Sequence, residues 1–245
     1  MKKYGLIGKT LKHSFSKKFF SEKFEKEGID AKYDLYEIPS IVEFPQLIRT
    51  ACPNGLNVTI PYKEQVMDFL DEIDDTAKEI GAVNTIHFIK ADGHSKLYGY
   101  NTDIIGFTDS LTPQLRPFHK KALILGTGGA SKAVEYSLHK LDIETQFVSR
   151  TRKGNCITYD EIDKEVMNEY LLIVNCSPVG MFPNIESAPS IPYDFVTDKH
   201  YLYDLVYNPT NTKFCEFGKA KGAITKNGLD MLHGQAIASW KIWNK

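Results

Sequence analysis

A short apolar run that leads through glycines into a helical pattern constrains the fold of this chain more than any other feature. The run spans Lys121–Leu125, the helical pattern spans Gly129–Leu141, and between them stands the sequence GTGGAS at 126–131. Glycine allows a backbone to approach a pyrophosphate, and the first turn of a helix presents N–H groups to it. A serine occupies the place of the usual third glycine, so a tight turn without a ligand is the alternative. As the opening of a βαβ unit, the pattern predicts a dinucleotide site.

The residues that follow the next strand distinguish between the two nicotinamide dinucleotides. This strand is expected over Thr145–Val148, and it leads into Ser149, Arg150, Thr151 and Arg152. A site for NAD places an acidic residue here to bind the ribose 2′-hydroxyl, and this segment has none. Guanidinium groups instead bind a 2′-phosphate through paired, charge-assisted hydrogen bonds. A solvated basic turn is the alternative; we predict NADP rather than NAD.

Short strands alternate with helices along most of the chain. In the second half, Leu171–Asn175 and Tyr201–Asp204 continue the series of strands, with connections long enough for helices. Such alternation predicts an α/β fold with a parallel, doubly wound sheet. We expect a boundary between two domains near Asp103–Pro117. A final helix is expected over Leu229–Trp243, and its pattern is compatible with packing on either domain.

Elements of the first half are predicted from local patterns. A helix over residues 16–27 is expected to end at Gly28, because glycine readily adopts the left-handed conformation of a helix C-cap. A second helix is expected over residues 61–70, since the missing N–H of Pro61 is not needed in a first turn. A β-hairpin is expected over residues 84–100, with its turn at 91–94.

Composition and charge narrow the functional classes. The 245 residues carry 30 Lys and Arg against 31 Asp and Glu, so we expect no general attraction to nucleic acid or anionic membranes. The four cysteines show no CxxC pair and no zinc-ligand spacing, which favours free thiols and no metal site. No run approaches the roughly 20 apolar residues of a membrane span, and no signal peptide is evident. We therefore expect a cytoplasmic enzyme, either a monomer or a homodimer.

Polar residues follow two predicted strands near the start of the chain. Ser14 and Ser16 lie two apart, so their hydroxyls face the same way if the segment is extended; helix capping by Ser16 is the alternative. Further along, Asn57 and Thr59 share one strand face. Lys63 falls in the expected first turn of the next helix, where a lysine is ordinarily just exposed.

A third polar segment adds Asn84 and Thr85, and then Asn101, Thr102 and Asp103. An N-cap role for Asp103 is as consistent with the local sequence as a functional role. Each of these signals is weak alone, and only together do they predict a polar binding site.

Nine segments, taken in order, resemble the shikimate dehydrogenase family over nearly the whole chain. They are HSFS at 13–16, NVTIPYKE at 57–64, GAVNT at 81–85, NTD at 101–103, GTGGASKA at 126–133, SRT at 149–151, NCSPVGM at 175–181, DLVYNP at 204–209 and NGLDMLHGQA at 227–236. The resemblance implies an N-terminal substrate-binding domain over 1–103 and a Rossmann-like NADP-binding domain over 104–228. It also implies a C-terminal helix over 229–245 that packs back on the N-terminal domain.

The resemblance further implies roles for individual residues. Those implied to bind the hydroxyls and carboxylate of shikimate are Ser14, Ser16, Thr59, Lys63, Asn84, Asp103, Tyr207 and Gln235. Those implied to line the pyrophosphate are Gly126, Thr127, Gly128, Gly129 and Ala130. The adenosine phosphate is assigned to Ser149, Arg150 and Thr151, and the nicotinamide side to Val206, Gly228 and Met231. One departure is Ile104, which stands where the family usually has a glycine.

Lys63 and Asp103 resemble the catalytic pair of the family. Oxidation of an alcohol removes the hydroxyl proton as hydride leaves the same carbon, and a lysine can take that proton or stabilise the oxygen. The implied reaction is the reversible, NADP-dependent oxidation of shikimate to 3-dehydroshikimate, in chorismate and aromatic amino-acid biosynthesis. A dehydrogenase acting on both quinate and shikimate is one alternative. A non-catalytic metabolite-binding relative is the other, and it predicts loss of Lys63 or Asp103, which are both present.

Overall fold

The computed structural model describes residues 1–11, 14–91 and 94–245. Their contacts divide the chain into two compact units: unit 1 comprises residues 1–102 and 236–245, and unit 2 comprises residues 103–235. The sequence-based boundaries were 103/104 and 228/229. The observed division therefore assigns Asp103 to unit 2 and places the second boundary inside the last helix.

Unit 1 is built on a six-stranded mixed sheet. Its strands are β1 (Lys2–Gly8), β2 (Ala31–Glu37), β3 (Gly55–Val58), β4 (Glu72–Ile73), β5 (Thr85–Ala91) and β6 (His94–Tyr100), in the spatial order β2-β1-β3-β5-β6-β4. β1 is parallel to β2 and β3, whereas β5 is antiparallel to β3 and β6. The predicted hairpin of β5 and β6 is confirmed; its residues Asp92 and Gly93 lie outside the described residues.

The helices of unit 1 are α1 (Phe15–Glu27), α2 (Phe44–Ala51) and α3 (Asp75–Ile80), with short 3₁₀ helices at Ile41–Glu43 and Gln65–Phe69. The end predicted for α1 is confirmed, because Gly28 adopts φ 63° and its N–H bonds to carbonyls of the last turn. Phe20 and Phe24 form the buried face of this helix, and they pack against Tyr4 of β1.

The end of the chain completes this core. α8 (Leu229–Trp243) belongs to unit 1 from Ala236 onward. Trp243 stacks on Tyr4 with ring centroids 4.8 Å apart, and its indole N–H donates to the Ile86 carbonyl at 3.0 Å. A Cβ at Gly55 would lie 2.3 Å from the indole nitrogen, so glycine is required where this ring crosses β3.

The helix predicted over residues 61–70 is wrong. Residues 60–64 form a turn, and only the 3₁₀ helix Gln65–Phe69 follows. The Lys63 carbonyl accepts the N–H of Val83 at 2.8 Å, while the N–H of Met67 bonds to Glu64. Tyr62 is buried, and its hydroxyl donates to the Ile38 carbonyl at 2.5 Å. These long-range bonds override the local helix-start signal.

Unit 2 holds a second six-stranded sheet, in which all neighbouring strands are parallel. Its strands are β7 (Lys121–Leu125), β8 (Glu144–Ser149), β9 (Ile157–Thr158), β10 (Leu172–Asn175), β11 (Tyr201–Asp204) and β12 (Ile224–Lys226). The spatial order β12-β11-β10-β7-β8-β9 is the 3-2-1-4-5-6 order of dinucleotide-binding folds when β7 is counted first. The helices are α4 (Asp103–Leu111), α5 (Gly129–Lys140), α6 (Lys164–Glu169) and α7 (Lys213–Ala220).

Both faces of this sheet are covered, as a doubly wound fold requires. Ile124 of β7 enters one buried cluster with Phe107 of α4, and the neighbouring Leu123 enters another with Phe214 of α7. Burial on both faces explains why β7 is a continuous apolar run rather than an alternating one. The predicted α/β fold with a parallel, doubly wound sheet is confirmed.

One connection lacks the α-helix that its length would allow. Residues 176–200, between β10 and β11, contain only a 3₁₀ turn, Tyr193–Phe195. Four prolines interrupt this connection, namely Pro178, Pro183, Pro189 and Pro192. Each lacks a backbone N–H and disfavours the helical conformation of the residue before it, so an α-helix cannot propagate.

Candidate active site

One edge of the sheet in unit 1 gathers the polar segments. Because β1 and β3 are parallel and β5 is antiparallel to β3 and β6, the carboxyl ends of β1, β3 and β6 lie beside the amino end of β5. Thr59 follows β3, Asn84 precedes β5 and Thr102 follows β6. These positions, far apart in sequence, therefore share one edge of the sheet.

The turn at 60–64 fixes the backbone of Lys63 at this edge. Thr59 anchors the start of the turn, since its N–H donates to the Ile7 carbonyl at 2.9 Å. The Lys63 carbonyl is held by the N–H of Val83, which directly precedes Asn84. The Lys63 side chain is half-buried. The lysine is thus placed by tertiary hydrogen bonds rather than by a helix.

Asn84 is oriented by its neighbours. Its Oδ1 accepts the Thr102 N–H at 2.7 Å, and it also accepts the hydroxyls of Thr102 and Thr85, each at 3.1 Å. With the oxygen engaged three times, the side chain can act toward a ligand only through its NH₂ group. These three hydrogen bonds hold Asn84 in a fixed orientation at this edge of the sheet.

The two serines of the first polar segment lie in different backbone settings. Ser14 is the N-cap of α1 and accepts the Lys17 N–H at 3.3 Å. Ser16 lies inside α1 and is 8% exposed. The expected extended segment with both hydroxyls on one side is wrong, because the helix begins at Phe15, and the capping residue is Ser14 rather than Ser16. His13, in the same segment, lies outside the described residues.

A buried polar network that sequence analysis missed underlies this edge. Asn57 donates through Nδ2 to Ser239 of α8 at 2.9 Å, and its Oδ1 accepts the Tyr33 hydroxyl at 2.8 Å. Ser239 Oγ also lies 2.8 Å from Thr85 Oγ1 and 3.1 Å from Thr102 Oγ1. Ser239 could have been noticed as a polar residue one helical turn after Gln235, with apolar residues on either side of it in the helix. No local signal distinguished Tyr33 from an ordinary core tyrosine.

Three of the expected substrate residues belong to unit 2. Asp103 is the first residue of α4 and 6% exposed, so it lies inside the helix rather than at the N-cap. A carboxylate in the first turn interacts favourably with the helix dipole. Gln235 is buried, and its Nε2 donates to the Leu232 carbonyl at 2.9 Å. Tyr207 follows β11, and burial raises the pKa of its hydroxyl.

The predicted glycine turn lies at the carboxyl end of β7, where the strand order of unit 2 reverses. Gly126 has φ 111°, and a Cβ there would lie 3.3 Å from the Ser177 backbone nitrogen. Gly128 precedes α5 with φ −85°, and a Cβ there would meet no atom within 4 Å. The protein itself therefore does not require glycine at 128. Open space above a backbone at a helix N-terminus fits the pyrophosphate of a dinucleotide.

The basic turn after β8 presents its two arginines differently. Arg152 forms an ion pair with Glu161. The Thr158 N–H lowers the pKa of Glu161, with a further contribution from Arg152, which favours the anionic carboxylate. Arg150 is exposed and forms no ion pair within the described part of the chain. Ser149 and Thr151 close the turn, with the Ser149 hydroxyl donating to the Thr151 carbonyl at 2.7 Å. Of the two guanidiniums, Arg150 is the better placed for a phosphate.

The residues assigned to the nicotinamide side differ in surroundings. The Gly228 N–H donates to the Val206 carbonyl at 3.1 Å, and a Cβ at Gly228 would lie 2.2 Å from the Leu205 carbonyl oxygen. Val206 and Gly228 thus lie on adjoining backbone segments that approach too closely for a side chain at 228. Met231 is 7% exposed and packs in a core cluster with Phe107.

Asp204, which sequence analysis did not assign, orders the loop that carries Val206. Its carboxylate is fully buried and accepts the Thr212 hydroxyl at 2.6 Å, the Val206 N–H at 3.0 Å and the Asn175 amide at 2.9 Å. Burial raises the pKa of Asp204 to about 6, and the three hydrogen bonds oppose that rise. The carboxylate ties together the carboxyl ends of β10 and β11.

Other kinds of site receive no support from the described residues. Among them, no group of three His, Cys, Asp or Glu side chains is arranged to hold a metal ion. The four cysteines are free thiols, as expected. No helix of residues 1–11, 14–91 and 94–245 has the length and apolar character needed to cross a membrane.

Comparison with known proteins identifies a group of similar chains. Residues 6–86 match the family described as the shikimate dehydrogenase substrate binding domain. A protein of Caldicellulosiruptor saccharolyticus named shikimate dehydrogenase (NADP(+)) is 37% identical over 261 residues, covering 99% of this chain and 92% of that protein.

Solved structures are also similar to this chain over nearly its whole length. Shikimate dehydrogenase 1 of Peptoclostridium difficile is 38% identical, with a TM-score of 0.84 over 100% of this chain and 92% of the other. Shikimate 5-dehydrogenase of Thermus thermophilus, solved in complex with NADP(H) and shikimate, is 30% identical, with a TM-score of 0.85 over 99% of this chain and 93% of the other.

Proposed function

Because the chain belongs to the shikimate dehydrogenase family, we propose that unit 1 is the substrate-binding domain and unit 2 the NADP-binding domain. The chain is an NADP-dependent oxidoreductase that reversibly oxidises shikimate to 3-dehydroshikimate, a step of aromatic amino-acid biosynthesis. The observation that carries this function is sequence similarity over 99% of the chain to a shikimate dehydrogenase (NADP(+)).

The proposed substrate residues supply complementary hydrogen-bonding groups. They are Ser14, Ser16, Thr59, Lys63, Asn84, Asp103, Tyr207 and Gln235. Asn84 acts as a donor because its oxygen is engaged by Thr102 and Thr85. Asp103, as a carboxylate, can only accept, so a substrate hydroxyl is its natural partner.

Lys63 and Asp103 are the proposed catalytic residues. When bound, NADP⁺ would supply the hydride acceptor for oxidation, and NADPH would supply the hydride donor for reduction. The Lys63 amine accepts the proton of the reacting hydroxyl during oxidation, and the ammonium returns that proton to the oxygen during reduction. As an ammonium it also stabilises negative charge that develops on this oxygen. Asp103 accepts a hydrogen bond from the hydroxyl and holds it in place for proton transfer.

The proposed nucleotide residues divide by the part of NADP that they contact. Gly126, Thr127, Gly128, Gly129 and Ala130 bind the pyrophosphate, and Ser149, Arg150 and Thr151 bind the 2′-phosphate. Val206, Gly228 and Met231 approach the nicotinamide. The open space at Gly128 supports the first assignment, and the exposed guanidinium of Arg150, which forms no ion pair with a described residue, supports the second.

The test is a spectrophotometric assay of the purified chain with shikimate and NADP⁺. We expect shikimate-dependent formation of NADPH, and we expect Lys63→Ala to lower kcat by about 100-fold or more, the scale of lost general acid–base catalysis. Lys78→Ala serves as the control, because Lys78 is an exposed lysine of α3 paired with Asp75. Turnover of Lys63→Ala near the wild-type value would show that Lys63 is not catalytic.

The same assay separates the alternatives. Comparison of kcat/KM for shikimate and quinate distinguishes a strict shikimate enzyme from one of dual specificity. A non-catalytic relative would bind shikimate without forming NADPH. We propose a cytoplasmic location because the similar proteins are biosynthetic enzymes, and cell fractionation tests it.

A further inference from the structure

The strand order of the sheet in unit 2 reverses between β7 and β10. From β7 the chain continues through β8 to β9 on one side, and from β10 it continues through β11 to β12 on the other. In open α/β sheets a dinucleotide lies in the crevice outside the carboxyl ends of the two strands at such a reversal. The first wall of this crevice is the glycine turn after β7. The second wall is the segment after β10, which begins with Cys176 and Ser177.

The second wall lies directly against the first. The Cys176 N–H donates to the Leu125 carbonyl at 2.9 Å. A Cβ at Gly126 would lie 3.3 Å from the Ser177 backbone nitrogen and 3.4 Å from the Cys176 carbonyl oxygen. The two backbones therefore leave little room between them, and a displacement of Ser177 would change the space that the crevice offers to a dinucleotide.

The Asn175 side chain holds the second wall in place. Its Oδ1 accepts the Ser177 N–H at 3.0 Å and the Ser177 hydroxyl at 2.6 Å. Its Nδ2 lies 2.9 Å from Asp204 Oδ1 and 3.3 Å from the Val179 carbonyl oxygen. A backbone N–H can only donate and a carbonyl oxygen can only accept, so the amide has one orientation that satisfies both ends.

Asp204 holds the Asn175 amide from the neighbouring strand. Both residues are fully buried. Besides the Asn175 amide, the carboxylate accepts the Val206 N–H at 3.0 Å and the Thr212 hydroxyl at 2.6 Å. Buried donors of this kind cost free energy when they are left unpaired. One carboxylate thereby keeps the segments after β10 and β11 in a single arrangement.

From this arrangement we infer that Asp204 is a positioning residue for NADP, which acts by holding the Asn175 amide and, through it, the second wall of the crevice. Because Asp204 is fully buried, it acts without contacting the cofactor. The second wall lies away from the turn after β8, so its effect falls on the nicotinamide half of NADP rather than on the adenosine phosphate. The inference rests on the proposed function, and it adds a residue that lies outside the proposed NADP contacts.

Asp204→Ala removes the acceptor of the Asn175 NH₂ group. In calorimetric titration of the full chain, we expect the Kd for NADP to rise about tenfold, the scale of one or two hydrogen bonds. Adenosine 2′,5′-bisphosphate carries the adenosine phosphate of NADP but lacks the nicotinamide half, and we expect its Kd to stay at the wild-type value. Equal rises for both ligands would show general loosening of unit 2 and would overturn the proposal.

A conservative variant and a matched control sharpen this test. Asp204→Asn retains Oδ1 as an acceptor, and its NH₂ group can donate to Thr212, so we expect a wild-type Kd for NADP. His200→Ala is the control: His200 is buried, directly precedes β11 at its other end, and bonds to Thr197 and Met167. It is expected to lower the melting temperature and to leave both Kd values unchanged. A tenfold rise in the Kd for NADP in either variant would contradict the proposal.

A double-mutant cycle tests the route through Asn175. If Asp204 acts through this amide, adding Asp204→Ala to Asn175→Ala causes little further rise in the Kd for NADP, whereas independent rises that multiply would overturn the proposal. Should Asp204→Ala fail to fold, Asn175→Ala alone is expected to raise the Kd for NADP about tenfold and to spare adenosine 2′,5′-bisphosphate. An unchanged Kd for NADP in that variant contradicts the inference.

Failure of the inference is distinguishable from failure of the proposed function. A wild-type chain that binds no NADP, or that does not oxidise shikimate, would refute the proposed function. Tight binding of NADP by the wild-type chain, with the same Kd in Asp204→Ala, would refute only the positioning role of Asp204.

Discussion

At the scale of single residues, the two arginines of the basic turn after β8 differ in their contacts. The sequence alone does not distinguish them. Arg152 is committed to Glu161, whose second oxygen accepts the Thr158 N–H at 2.8 Å. Arg150 is exposed and forms no ion pair with any described residue. A guanidinium without an internal partner can bind a phosphate without first breaking an ion pair. We therefore propose that the preference for NADP over NAD depends mainly on the side chain of Arg150.

Arg150→Ala is expected to lower kcat/KM for NADP by about 10- to 100-fold, the scale of a lost charge-assisted hydrogen-bond pair, with kcat/KM for NAD nearly unchanged. Arg152→Ala is the matched control, and it is expected to lower kcat/KM for NADP much less. Steady-state kinetics with both cofactors provide the measurement. A larger loss for Arg152→Ala would reassign the phosphate to Arg152.

Asp204 makes stability depend on pH in the direction opposite to an ordinary salt-bridged carboxylate. Its pKa rises from 3.8 to about 6 in the folded chain, so folding favours the protonated form. The contribution of Asp204 to the free energy of unfolding is fully present below about pH 4, and it is lost as pH rises through about 6. From about 1.4 kcal/mol per pKa unit, the loss amounts to about 3 kcal/mol.

Asp204→Asn removes this titration. We expect the stability of the variant relative to wild type to increase by about 3 kcal/mol between pH 4 and pH 7, measured by urea unfolding at each pH. Asp194→Asn, at a carboxylate whose side chain is 93% exposed, is the control, and its difference from wild type is expected to stay flat. A flat difference for Asp204→Asn would contradict the assignment.

At the scale of elements, the β7–α5 turn contains glycines with different requirements. Gly126 needs its glycine for backbone reasons, because φ is 111°. Gly128 has an ordinary φ of −85°, and a methyl group added at its Cα would meet no atom within 4 Å. The fold therefore does not require glycine at 128, and we propose that the residue leaves room for a ligand.

Gly128→Ala is expected to leave the melting temperature within a few degrees of wild type and to raise the Kd for NADP by about tenfold or more, since the methyl group occupies space that the pyrophosphate approaches. Calorimetric titration and thermal unfolding measure the two effects. Gly228→Ala is the contrasting variant: its Cβ would lie 2.2 Å from a carbonyl oxygen, so a lower melting temperature is expected. Unchanged NADP affinity in Gly128→Ala would argue against a pyrophosphate at this turn.

At the scale of the whole molecule, residues 236–245 belong to unit 1, whose other residues are 1–102. Trp243 is 4% exposed, stacks on Tyr4 and donates to Ile86. Ser239, one turn earlier, bonds to Asn57 across 182 residues of sequence. Unit 1 therefore cannot complete its core until α8 has been made.

Trp243→Ala is expected to destabilise unit 1 by about 3–5 kcal/mol, the range for truncating a large buried aromatic side chain. Hydrogen exchange is the measurement, and loss of protection is expected to be larger in β1 and β3 than in β7 and β10. Ile237→Ala, on the same helix but 47% exposed, is the control and is expected to leave the exchange pattern unchanged. Equal loss in both sheets would show that the two units unfold as one.

Sequence alone determined the features that depend on local chemistry. The glycine turn, the basic segment after β8 and the end of α1 at Gly28 each express a backbone or charge requirement within a few residues. The alternation of apolar runs and helical patterns predicted the α/β fold, because each run or pattern is also local in the sequence. Substrate identity came from nine ordered segments that resemble one family.

Only the tertiary structure decided how the polar edge of unit 1 is built. The turn at Lys63 depends on a hydrogen bond from Val83, and it replaced the helix that Pro61 locally favours. Asn84 is oriented by Thr85 and Thr102, whose hydroxyls also bond to Ser239 of α8. Periodicity reports which face of an element is buried, but not which buried polar groups meet. Their partners lie tens to hundreds of residues away, and their hydrogen bonds form only once the sheet has brought those elements together.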